Sequence, residues 1–214
     1  MSTVELDTLI LRNLADLDAT AQRLNHIDEG VWRAVDSVVE RWAKERGWVG
    51  RFDVEGRGLW LTPAKWRKAS EDEESPDAAF WYEVAAHDPP TFFDLADLCG
   101  LGGSRYGFRF HQKLFGKAEW KELTRKHADA FQKLGMHLDS KASPFAETRV
   151  ELAALTAAVE TGNYEEALTP IVVTLDRLLA AEKTLQSILF KSSAASIRQK
   201  PMARNVKVSR PRRL

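Results

Sequence analysis

The chain has 214 residues and a mass of 24.2 kDa, with 44% hydrophobic and 29% charged residues. That is the composition of a folded domain rather than a collagen-like or disordered chain. The single Cys99 excludes an internal disulfide, and no apolar run approaches the ~20 residues that cross a bilayer.

The 31 cations and 31 acids cancel in total but not locally. Residues 191–214 hold eight cations and no acid, leaving 23 cations against 31 acids in residues 1–190. The start, Met1-Ser2-Thr3-Val4-Glu5, has no basic stretch followed by an apolar one. No secretory signal is expected, and a reducing cytoplasm is the expected location.

Ser2 and Glu5 have the spacing of a capping box. Ile10, Leu14, Leu17, Ala21 and Leu24 then step by four, three, four and three, the stripe of an amphipathic helix. The stripe covers fewer than three heptads, so packing on its own domain is expected rather than a coiled coil. Val31, Val35, Val38 and Trp42 predict a second helix over 28–46, ended by Gly47. Turn residues at 25–30 make the two helices read as an antiparallel hairpin.

Residues 49–55 and 59–62 flank Gly56-Arg57-Gly58 and predict a β-hairpin. Pro63 stops its second strand, with 64–67 as an extension beyond the break. The acidic run 71–77 reads as a mobile surface loop. Residues 79–86 are apolar on both faces, as in a central strand. A short helix over 91–98 is followed by a strand over 105–111. Tyr106, Phe108 and Phe110 face inward on that strand, and Arg105, Arg109 and His111 face outward. A helix over 117–134 ends at Gly135. After a connector over 136–143, Ser143-Pro144 predicts a helix over 144–161. A last helical region reaches residue 190, where Pro170 either kinks the helix or, the preferred arrangement, sits in the first turn of a fresh helix capped by Thr169.

The segment Glu160-Thr161-Gly162-Asn163-Tyr164-Glu165-Glu166-Ala167-Leu168 resembles the inter-helix turn of a tetratricopeptide repeat. There a glycine turns the chain and the following aromatic and alanine pack between two helices. The resemblance covers one unit, and a plain helical hairpin accounts for the same residues.

The expected fold is α+β. A small, predominantly antiparallel sheet is packed by helices in residues 1–142, with a helical hairpin packed on it over 143–190 and a disordered basic tail over 191–214.

Catalytic and metal signatures are sparse. His26, His87, His111, His127 and His137 include no pair at i,i+4, and no metal site or cofactor is expected. The glycine-rich run 100–104 follows a helix and precedes a strand, the reverse of a phosphate cradle. Asp53 and Glu83 could serve a divergent metal-dependent nuclease, but Ala85 stands where such a site places Lys. Glu83, His87, Arg105, Arg109 and His111 can share a pocket if their strands are neighbours, most simply as structural ion pairs. No catalytic residue is assigned.

Two surfaces remain for binding nucleic acid or an acidic protein. One is the tail, with Arg198, Lys200, Arg204, Lys207, Arg210, Arg212 and Arg213, suited to phosphate neutralisation. The other mixes Trp60 and Trp66 with Lys65, Arg67 and Lys68, which suits base stacking or a tryptophan-rich junction inside the fold. The expected function is a non-enzymatic intracellular binding or regulatory protein. The alternatives are the nuclease-like enzyme and an assembly subunit that self-associates through its helices.

Overall fold

The computed structural model describes residues 2–68, 72, 74, 76–85 and 94–197, with 191–197 by backbone alone. Helix α1 (Thr3–Arg12) starts at the expected capping box: Ser2 N donates to Glu5 Oε2 at 2.8 Å and Glu5 N to Ser2 Oγ at 3.3 Å. Helix α2 (Leu14–Glu45) follows after the single residue Asn13. Asn13 N donates to Leu9 O at 3.2 Å and Leu17 N to Asn13 O at 3.0 Å, so helical bonding brackets the break and the two helices follow one another as a rod interrupted at Asn13 (φ −111°, ψ 22°).

The hairpin expected at 25–30 does not form. Asp28 accepts the Trp32 indole N–H at 2.9 Å instead of capping a helix. Gly30 leaves room for Tyr164, whose hydroxyl would lie 3.4 Å from an added Cβ. A helical glycine costs only about 1 kcal/mol, less than the tertiary contacts around it return. Nor does the amino-terminal stripe pack on its own domain. Residues 2–23 are all exposed, and the same face becomes core only from Val31, Val35, Val38 and Trp42 onward.

Among the described residues six strands form one antiparallel sheet, so the fold class is α+β. Their order is β1 (Trp48–Arg51), β2 (Leu59–Pro63), β3 (Ala78–Ala85), β4 (Arg105–Gln112), β6 (Pro144–Glu147) and β5 (His137–Leu138). The predicted hairpin is β1–β2, and β3 is flanked on both sides, as its two apolar faces require. Residues 64–66 form a 3₁₀ turn after Pro63 rather than more strand.

Register places Leu59, Leu61, Phe80, Tyr82, Tyr106, Phe108, Phe110 and Ala146 on one face, all buried. Trp32 packs on that face against Tyr82 and Tyr106, with ring centroids 6.4 and 5.2 Å apart. Trp120 of α4 (Lys117–Lys126) meets Phe110 at 5.7 Å. Trp42 of α2 meets Trp48 at 5.4 Å and donates to Asp176 of the terminal helix at 2.9 Å.

The helix expected over 117–134 is divided at His127 into α4 and α5 (Ala128–Lys133), and Gly135 follows at φ +71°. The helix expected over 144–161 is a larger departure. Residues 144–147 are strand β6, and α6 (Leu152–Thr161) begins later. The local cap signal loses to the open edge of β4, where Phe145 and Ala146 pair with Arg109 and Phe108. Pro144 sits at the start of its strand, where a missing N–H does least harm. The sheet therefore crosses the boundary expected at residue 142. Helix α3 (Asp94–Leu98) falls where expected, and α7 (Thr169–Ile197) opens on Thr169-Pro170 but runs past the end expected at residue 190, so 191–197 continue as helical backbone where the unfolded tail was expected to begin. Gly162 ends α6 at φ +70°, and Ala167 and Leu168 beyond it are buried.

Candidate functional site

The face opposite the core carries a single row of side chains that passes through every strand. Register aligns Arg51 with Trp60, Trp60 with Trp81, Trp81 with Arg109, Arg109 with Phe145, and Phe145 with His137. Neighbouring strands lie about 4.8 Å apart, so cations and rings come into contact along the row. Arg51 Cζ lies 5.8 Å from the Trp81 centroid, Arg109 Cζ 5.4 Å from Phe145, and Arg67 Cζ 5.3 Å from Trp60. Trp60 is only 3% exposed and Phe145 only 1%. These two rings are the covered members of the row; Arg51, Trp81 and Arg109 are half-buried and His137 is exposed.

Beside the row, Glu83 Oε1 accepts from Arg109 Nη1, and Glu83 Oε2 lies 3.0 Å from His111 Nε2. Arg109 Nε sits 2.9 Å from Asp139 Oδ2, off the direction of its N–H, so this contact is charge attraction rather than a hydrogen bond. Asp139 Oδ1 accepts from Lys141 N and Ser143 N, both at 2.8 Å, and so shapes the β5–β6 turn. Burial pushes the Glu83 carboxyl up, but the hydrogen bond and charge of His111, joined by Arg109, hold it below its ordinary value. Such low basicity suits an ion pair better than a general base, which needs a carboxyl raised toward neutral pH.

The pocket suggested for Glu83, Arg109 and His111 is thus a real cluster, while His87 lies outside the described residues. Arg105 is set apart from it, paired with Glu147 at 3.2 Å. Asp53 lies in the β1–β2 loop rather than on a strand, and its carboxylate accepts from Gly56 N at 3.1 Å and Arg57 N at 3.0 Å. Among the described residues no group of three His, Cys, Asp or Glu side chains is arranged to hold a metal ion. No helix among them is long and apolar enough to cross a membrane.

The Trp60–Lys68 region is split between the two faces of the sheet: Trp60 lies in the row opposite the core and Trp66 on the core side, and both indoles are buried. Trp66 is 6% exposed and meets Phe110 at 6.1 Å on the core side. Lys65 Nζ pairs with Glu182 of α7 at 2.5 Å, and Lys68 Nζ with Asp77 at 3.1 Å. Arg198, Lys200, Arg204, Lys207, Arg210, Arg212 and Arg213 lie outside the described residues. Sequence reasoning did not single out Arg51 or Asp139. Their partners are set by strand register, for which the only local signal was the outward face of β4.

A different surface is presented by the rod. Its exposed stripe leads at Leu24 and Ile27 into an apolar groove of about 380 Å³, completed by residues of α3, α6 and the loop after α3. Leu101 and Leu152 on its rim are 64% and 50% exposed. A larger groove of about 810 Å³ beside β6 and α7 has a mostly apolar lining that also carries mixed charge, with Glu147, Arg149, Glu166 and Arg177 in its wall.

One acid near the β1–β2 loop is set apart by its titration. Asp36 accepts from Val54 N at 3.1 Å, yet burial, aided by Asp53, Glu55 and Glu40, pushes its carboxyl up to about 6. Folding therefore favours its protonated form. Its contribution is most favourable below about pH 4 and declines as pH rises to about 6. Asp36→Asn is expected to flatten that slope and to stabilise the fold at pH 7 by about 1 kcal/mol, after allowance for solvent screening. Urea unfolding of both chains at about pH 4 and pH 7 checks this, and parallel pH profiles would refute it.

Comparison of the chain with protein-family models, curated proteins and solved structures finds no match.

Proposed function

We propose that the chain is a non-enzymatic binding protein that makes its contacts through its two ends. The amino-terminal helical arm docks an apolar protein surface, and the cationic segment 191–214 neutralises the phosphates of a nucleic acid. The arm carries this reading: residues 2–23 are exposed on a rod whose same face is core from Val31 onward. A helix of this length gains little stability without a packed face, so an apolar stripe along it suits a partner.

The sheet supports the reading indirectly, because its rings and cations are engaged with one another. Lys65, Arg67 and Lys68 are held in ion pairs or over a ring, whereas segment 191–214 has eight cations and no acid within it. Its Lys and Arg residues, spread among Ser, Ala, Pro and Val, suit sequence-independent binding by counterion release.

Filter binding of the full chain and of residues 1–190 across a salt series tests the contact. The shortened chain is expected to bind at least about 10-fold more weakly at low salt. Its salt dependence is expected to be shallower by roughly 0.9 in log–log slope per lost phosphate contact. Equal affinities and slopes would remove the segment from the function. Magnesium-dependent digestion abolished by Glu83→Gln would replace this reading with an enzymatic one.

A further inference from the structure

We infer that the arm's partner is a second copy of this chain, paired antiparallel, with the tip of each arm seated at the other copy's apolar groove. This inference rests on the arm's being the docking element, and it names what is docked. The stripe Ile10, Leu14, Leu17, Ala21, Leu24 has the 4-3-4-3 spacing of a coiled-coil seam. Leu14 and Leu17 at its centre are 57% and 45% exposed.

Sterics decide the direction of pairing. From Val31 onward the stripe's face is occupied by the chain's own sheet. Two parallel copies would bring both sheets into the same space between the rods. Antiparallel copies hold their bodies at opposite ends.

The seam also fixes a register. Layers that set Ile10 against Ala21 and Leu14 against Leu17 of the second copy place Val4 and Leu6 beside that copy's Leu24 and Ile27. Those two residues line the 380 Å³ apolar groove. The tip, with Val4 73% and Leu6 42% exposed, therefore ends where the partner's body begins. The paired length, residues 3–28, is about 39 Å at 1.5 Å per residue.

The flanks carry no like-charge clash: Leu6 meets Ile27, Asn13 meets Thr20, and Leu11 meets Asp18 of the second copy. Asp7, opposite Leu24, and Asp28, opposite Thr3, are the charged side chains at seam positions, both in the end layers. The interface is two-fold and self-complementary, so it closes at a dimer.

Sedimentation of the full chain over a concentration series tests the association. The mass is expected to rise from 24.2 kDa toward twice that value. Leu14→Glu, which puts a charge into a central layer of each arm, is expected to weaken association by more than roughly 100-fold. Its thermal transition should not change when measured on dilute monomer, because Leu14 touches no core. Disulfide trapping tests the direction. Ile10→Cys mixed with Ala21→Cys is expected to crosslink, and Ile10→Cys alone is not; the native Cys99 is buried.

A chain that stays at 24.2 kDa throughout, a Leu14→Glu variant that dimerises normally, or crosslinking of Ile10→Cys to itself would each overturn the inference. Filter binding on the same samples reads the nucleic-acid contact separately. A monomer that still binds through segment 191–214 would sink the pairing while leaving that part of the proposed function standing.

Discussion

Arg109→Ala is expected to lower folding stability by about 3 kcal/mol, the range for removing one partner of a buried ion pair. The Arg109 and Asp139 side chains are each 13% exposed, and that of Glu83 is 30% exposed. Without the guanidinium, two acids remain in a poorly solvated place, one on β3 and one in the β5–β6 turn. The exposure of Glu83 keeps the expected loss at the low end of the range.

Adding Glu83→Gln to Arg109→Ala should recover about 1 kcal/mol, because it neutralises one stranded charge while keeping an acceptor for His111. Arg109→Lys should rescue only in part, since an ammonium cannot serve two acids through separate arms of a planar fork. The pH dependence has a definite sign. Glu83 titrates lower in the folded chain than its ordinary value. Its stabilisation is therefore present above the ordinary carboxylate range and lost as pH falls through the folded value. Arg109→Ala should reduce that acid-induced loss. Urea unfolding near pH 7 and near pH 3 reads both effects, and a variant within about 0.5 kcal/mol of the parent at pH 7 would make the cluster a surface pair of little consequence.

Gly107→Ala is expected to cost about 3 kcal/mol, at the upper end for overpacking. An added Cβ at this β4 position would lie 2.3 Å from the Ala146 carbonyl oxygen and 2.7 Å from Phe145 Cζ. The first obstacle is backbone of the adjacent strand and cannot turn aside. β6 would have to move away from β4, loosening the Phe108–Ala146 and Arg109–Phe145 pairings. The same shift would lift Phe145 from beneath Arg109. Trimming Phe145 to Leu should not rescue Gly107→Ala, because the nearer carbonyl stays in place. Rescue by that second substitution would show that ring crowding, and not strand spacing, sets the requirement for glycine. Thermal unfolding of the two single variants and the double variant decides between them.

The elements most legible in the sequence were those whose period is local. The capping box at Ser2 and Glu5, the alternation of β4 and the Thr169-Pro170 helix start all lie where their patterns put them. The misread elements share a cause: residues with two local meanings were settled by distant contacts. Asp28 and Gly30 look like a turn, but Trp32 and Tyr164 give them work inside a continuous helix. Ser143-Pro144 looks like a helix start, but the unpaired edge of β4 takes the segment as strand.

The candidate site divides in the same way. Its outward cations on β4 could be read from period-two alternation. The row from Arg51 to His137 could not, because it requires a register shared by six strands, and a one-residue slip would turn every member to the other face. The neighbouring Glu83–Arg109–Asp139 contact joins residues 26 and 30 positions apart, beyond any local pattern.

By itself, the order of residues determined an α+β chain, an amphipathic amino-terminal stripe and a cationic end, because periodicity and charge are properties of neighbours along the chain. Only tertiary structure decided that the stripe is left uncovered. The sheet is filled from Val31 onward by the far end of the same helix, and the rod carries the rest of that face beyond the reach of its own core.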